Sequence, residues 1–165
     1  MLVDGVSQGA ITGYTFSNVT AAHTISASFA IDTFTVTATA GANGSIAPAG
    51  VTNVTYGGDQ SYTITPDAGY HVADVLVDGS SVGAVTSYPF TNVTANHSIR
   101  VAFAITQFTI NASSGPNGTI TPSGSVIVNY GTNRAFTFTP ASGYHVDSLI
   151  VDGVNQPAAG SYTFN

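Results

Sequence analysis

The chain has 165 residues, with two cations (Arg100 and Arg134) against eight Asp, a formal net charge of −6 and no cysteine. That balance lacks the basic footprint that nucleic acid or an anionic membrane surface needs; no apolar run approaches the ~20 residues of a membrane span, and there is neither a disulfide framework nor a thiolate metal site. Lys and Glu are absent and charged residues make up 6%, so good helix formers other than Ala are scarce, while Thr, Val, Ile, Tyr and Phe favour half-buried pleated surfaces and predict an all-β chain without helices.

In chain order, a Leu2-Val3 run closes at the Asp4-Gly5 turn, Tyr14-Thr15-Phe16 follows, and Thr24–Ile31 reads as a strand. From Thr33, Phe34, Val36 and Ala38 alternate with Thr35, Thr37 and Thr39, the pattern of a strand with one buried face. Asn43-Gly44 then gives the strongest short hairpin signal, and a short return strand around Ser45–Ala47 ends at Pro48. A loop carries Tyr56-Gly57-Gly58, Ser61–Thr65 is the next strand, and Pro66 to Gly69 is a turn. His71–Asp78 runs as a strand closed by Asp78-Gly79, an expected hairpin turn. Tyr88–Phe90 is a short strand and Asn92–Asn96 a turn; Ile99, Val101, Phe103 and Ile105 then alternate against Ser98, Arg100, Ala102 and Ala104.

A shift of 74 residues lays the chain on itself without a gap: Val3-Asp4-Gly5 falls on Val77-Asp78-Gly79 and on Val151-Asp152-Gly153. Between 33–91 and 107–165, 26 of 59 positions are identical, and between 1–32 and 75–106, 19 of 32. A fixed period of this kind marks a tandem array of one structural unit. About six strands per unit, with turn signals between them, predict a small sandwich or open barrel. The organisation follows as 1–32, the C-terminal part of a repeat; 33–106, a complete repeat; and 107–165, the N-terminal part of a repeat without its closing strand. At each joint the alternation slips phase, between Ile31 and Phe34 and again between Ile105 and Phe108. One strand therefore runs on into the next unit through a twist or bulge, and with no linker between them the units are expected to form a stiff rod.

The residues Asn43-Gly44, Tyr56-Gly57-Gly58, Thr63-Ile64-Thr65-Pro66, Gly69-Tyr70-His71-Val72, Val77-Asp78-Gly79, Tyr88-Pro89-Phe90 and Asn92-Val93-Thr94-Ala95-Asn96-His97 together resemble the divergent internalin-B-type B-repeat. The resemblance spans the whole chain. It implies a repeat found in many copies in secreted and cell-surface bacterial proteins, used as spacer and stalk, with no shared catalytic residues.

Candidate sites for chemistry are few. His71 and His145 sit in Gly-Tyr-His-Val, and His23 and His97 precede the closing strand; zinc needs three or four converging ligands, and half-exposed strand or turn histidine is the favoured reading. Asp4, Asp78 and Asp152, with Asp74 nearby, offer one carboxylate per turn where calcium wants several in one loop. A hairpin role is therefore the default for them, and no metal or cofactor is expected. The eight tyrosines, read as core packing, would serve a glycan-binding module if they formed an exposed platform. No nucleophile, phosphate or dinucleotide motif appears, and the chain is not read as an enzyme.

Counted against the period, the third copy reaches Asn165 without a counterpart of Ile99–Ile105, while Thr24–Ile31 is a copy of that strand. A section cut from a longer array is one expectation. The other is donor-strand addition, in which Thr24–Ile31 of one molecule closes the open unit of the next. Ile25, Phe29, Ile31, Phe34, Phe108, Tyr162 and Phe164 are then the assembly residues. The committed expectation is an extracellular, cell-surface structural repeat acting as stalk, spacer or fibre segment. Its partners would be its own neighbouring repeats or copies; a filament protomer and a glycan-binding adhesin module are the alternatives.

Overall fold

The computed structural model describes residues 1–165, all of it strand, turn or extended chain without helix. Residues 1–32 hold three two-residue strands, β1 (Leu2–Val3), β2 (Val6–Ser7) and β3 (Ile25–Ser26), in the sheet order β2-β1-β3. Residues 33–106 hold β4 (Thr33–Ala40), β5 (Gly44–Ala47), β6 (Gly50–Thr55), β7 (Gly58–Pro66), β8 (Tyr70–Val77), β9 (Ser80–Gly83), β10 (Ser87–Val93) and β11 (His97–Ile105). Residues 107–165 hold β12 (Gln107–Ala112), β13 (Gly118–Thr121), β14 (Gly124–Asn129), β15 (Arg134–Pro140), β16 (Leu149–Val151), β17 (Val154–Gln156) and β18 (Ser161–Phe164).

The central repeat is a two-sheet sandwich. One sheet has five strands in the order β6-β4-β11-β8-β9, and the other three, β10-β7-β5. The first and last strands lie side by side and parallel, His97 opposite Val36 and Val101 opposite Ala40, so the unit closes only when β11 has been made. Twelve buried residues from both sheets form one core, among them Val36, Tyr62, Val75, Ile99 and Val101. Their two-residue spacing puts every second side chain of β4, β7 and β11 on the inner face. Tyr62 meets Phe90 edge to face at 5.9 Å between ring centroids, the arrangement that aromatic quadrupoles favour.

Two expectations are corrected. Asn43-Gly44 does not make a hairpin: β4 pairs with β6 and β11 while β5 pairs with β7, so the turn carries the chain from one sheet to the other. Asn43 still supplies the left-handed backbone that such a turn needs, at φ 72°. Thr24–Ile31 is not a full strand, because only Ile25 and Ser26 are paired, with Val3 and Leu2. Its counterpart β11 extends over nine residues because β4 and β8 flank it.

The third copy shows the same dependence. β12 pairs only with β14, β16 only with β17, and β13-β15-β18 form a separate sheet. Without a strand in the place of β11, the counterpart of the eight-residue β8 shrinks to the three residues Leu149–Val151. Of the positions matching the central core, only Phe136 stays buried.

Candidate functional site at the joint between repeats

Between β11 and β12 lies one unpaired residue, Thr106, and it carries the joint. Its N–H donates to the Gly69 carbonyl of the central repeat at 2.8 Å, and its carbonyl accepts from the Tyr130 N–H of the following repeat at 2.8 Å. The phase slip seen in the sequence is therefore a residue bonded at both faces, once to each repeat. Gly69 closes the Pro66–Gly69 turn at φ +83°, and the Tyr130 ring lies against it so closely that a Cβ at Gly69 would fall inside the ring. A glycine is required here twice over, for the left-handed backbone and for the ring. On its other side Tyr130 faces Phe108, with ring centroids 6.4 Å apart. The earlier joint repeats the pattern, with the Tyr56 N–H donating to the Asp32 carbonyl at 2.8 Å and Tyr56 facing Phe34 at 6.2 Å.

A second recurring device fastens the closing strand. Asp78, in the left-handed backbone of the Asp78-Gly79 turn (φ 49° and 82°), accepts from His97 Nδ1–H at 2.6 Å and from the Ser98 N–H at 2.7 Å. The Asp78 N–H returns a bond to the Ser98 carbonyl at 3.0 Å, and the His97 ring lies 5.1 Å from Phe90. Asp4, His23 and Thr24 repeat it: His23 Nδ1–H and the Thr24 N–H each donate to the Asp4 carboxylate at 2.8 Å. Both carboxyls are held below the ordinary carboxylate range. For Asp4 the largest cause is the Thr24 amide, followed by His23. For Asp78 burial pushes upward, but the bonds from His97 and Ser98 together outweigh it. The sequence reading assigned His97 to a turn and Asp78 to a hairpin separately; the signal it missed is the equal spacing of 19 residues between Asp and His in both copies. Asp74, weighed for calcium, instead accepts from the Val75 N–H at 2.9 Å and the Ser81 hydroxyl at 2.6 Å.

The third feature is an open seat. Between β12 and the 145–152 segment runs a cleft of about 900 Å³, floored by Phe136, Tyr162 and Phe164. In the central repeat that space is occupied by β11, whose Phe103 ring packs over Gly44. Gly118, the matching glycine, meets only ordinary backbone contacts. Asp152, the third Val-Asp-Gly aspartate, has no histidine beside it.

Of the assembly residues named from sequence, Tyr162 and Phe164 line the seat, 5.0 Å apart and edge to face. Ile25, Phe29 and Ile31 are exposed, Phe29 at 95%, and Phe34 and Phe108 sit at the joints. The tyrosines are spread through cores and joints: Tyr62 is buried, Tyr88 packs on Phe90, and Tyr14 packs on Phe16.

Residues 34–107 and 108–165 each match a family model described as the divergent InlB B-repeat domain. No curated protein and no solved structure matches the chain.

Proposed function

The chain belongs to the divergent InlB B-repeat family, and from that membership we propose that it is a rigid stalk or spacer segment of a bacterial surface or secreted protein. Its work is mechanical and involves no catalysis: it holds whatever lies on either side at a set distance and orientation. The joint carries this reading. Two backbone bonds through Thr106 and the Tyr130 ring on Gly69 resist both bending and rotation between neighbours, where a flexible linker would leave domain motion as the default. No helix is long and apolar enough to cross a membrane.

Spin labels on cysteines placed at Thr63 and Thr137 test it, since the chain has no cysteine of its own. Pulsed electron paramagnetic resonance should give one narrow distance distribution, which Tyr130→Ala broadens. A broad distribution in the unmodified joint would sink the rigid stalk. Two unpaired sheet edges, on β3 and β12, favour a second reading, a filament in which copies continue the array end to end. Electron microscopy of the purified chain separates the two readings, with uniform long fibres for a filament and short rods for a stalk segment alone.

A further inference from the structure

Residues 1–32 and 107–165 carry two halves of one sheet. The first half is ordered β2-β1-β3 with β3 at its free edge, and the second is β12-β14 with β12 at its free edge. Set edge to edge they read β14-β12-β3-β1-β2, which is the order β6-β4-β11-β8-β9 of the complete repeat moved by one period. The pairing of β11 with β4 supplies the register. His97 opposite Val36 through Val101 opposite Ala40 becomes His23 opposite Ile110 through Ala27 opposite Ser114, in parallel.

The side chains agree with that register. Ile25, Phe29 and Ile31 are exposed, and their counterparts are the buried Ile99 and the partly buried Phe103 and Ile105. Phe29 in this register falls over Gly118, which has the room that Phe103 fills at Gly44.

We propose that a second copy of this chain docks on the β12 edge with its whole β2-β1-β3 sheet, pairing β3 with β12 and displacing the β16–β17 hairpin. The occupant brings its own hairpin because β1 is already fastened to β3. Val3 pairs with Ile25, Leu2 pairs with Ser26, and the Asp4 carboxylate holds His23 and the Thr24 amide. The acceptor's β16 pairs with β17 alone, so it is the hairpin free to leave. Residues 1–17 and 149–165 are equivalent positions of the period, and this exchange resolves their competition for one place. The proposal rests on the filament reading and adds which strands meet, in what register, and what is expelled.

Ser26→Cys and Ser113→Cys in one chain test it. Both side chains are exposed, and the proposed register sets them opposite one another, within the reach of a disulfide. Mild oxidation of the double variant should give a ladder of covalent oligomers on a non-reducing gel, where each single variant stops at dimers. Ser26→Cys with Asn111→Cys, two residues out of register, should crosslink at least tenfold more slowly. Hydrogen exchange at 149–156 should quicken on assembly, while that of 2–7 is retained. Fibres by microscopy with no ladder, or with equal rates for both pairs, would overturn the register while leaving the filament reading intact. Retained protection of 149–156 inside fibres would overturn the displacement. Absence of both fibres and ladder would overturn the proposal together with the filament reading.

Discussion

Gly69 and Gly143 are the same residue one period apart, at φ +83° and +84°, yet only Gly69 has a ring against it. Alanine at Gly143 meets backbone strain alone, of about 1–2 kcal/mol. Alanine at Gly69 meets that strain and also pushes Tyr130 from its seat. Thermal unfolding should therefore show the larger loss for Gly69→Ala, and the excess should vanish in a Tyr130→Ala background, as a double-mutant cycle reads it. Equal losses at the two glycines would remove the joint contact from the account. Asp78 yields a pH dependence at the same scale. Its carboxyl is held below the ordinary value near 3.9, so its contribution is complete above that value and is lost as pH falls through the depressed one. Denaturant midpoints measured from pH 7 to pH 2 should fall on the acid side in the native chain. Asp78→Asn should start lower at neutral pH and show a flatter acid limb.

At the scale of the element, each strand is as long as its neighbours make it. β8 runs for eight residues beside β11, and its counterpart runs for three where nothing is paired beside it. The glycines facing the closing strand sharpen this into a test. Gly44→Ala drives a methyl into the Phe103 ring and should cost about 1–3 kcal/mol, as overpacking does. Gly118→Ala meets ordinary contacts at 3.5 Å and beyond and should leave stability nearly unchanged in the monomer. The alternation of Phe34, Val36 and Ala38, and of Ile99 and Val101, was legible because a strand's period of two is local. Sheet membership was not legible. The parallel contact of β4 with β11 joins residues 61 apart, as His97 opposite Val36, and no local pattern encodes a partner at that distance. Asn43-Gly44 was misread for the same reason: its left-handed backbone suits a hairpin and a sheet crossing alike.

Over the whole molecule, burial is uneven. Twelve buried residues make the core of 33–106, while the flanking segments contribute Val3, Val126 and Phe136. Stability in a repeat array sums over units and the interfaces between them, so local opening should be unequal along the chain. Hydrogen exchange should show the slowest amides on β4, β7 and β11 and faster exchange on β1–β3 and β16–β17, with the Thr106 and Tyr130 amides protected at the joint. Uniform protection from end to end would mean that the flanking segments share the central core.

The sequence by itself determined the all-β class, the 74-residue period, the family, and the slip at Ile105–Phe108 where one unit passes into the next. These are written in composition and in spacings of two residues or of one period, which need no partner to be read. The tertiary structure alone decided that Gly69 receives Tyr130, that Asp78 holds His97, and that the sheet is closed by its first and last strands lying parallel. Each of those contacts joins residues far apart in the chain, and their energy exists only once folding has brought both partners to the same place.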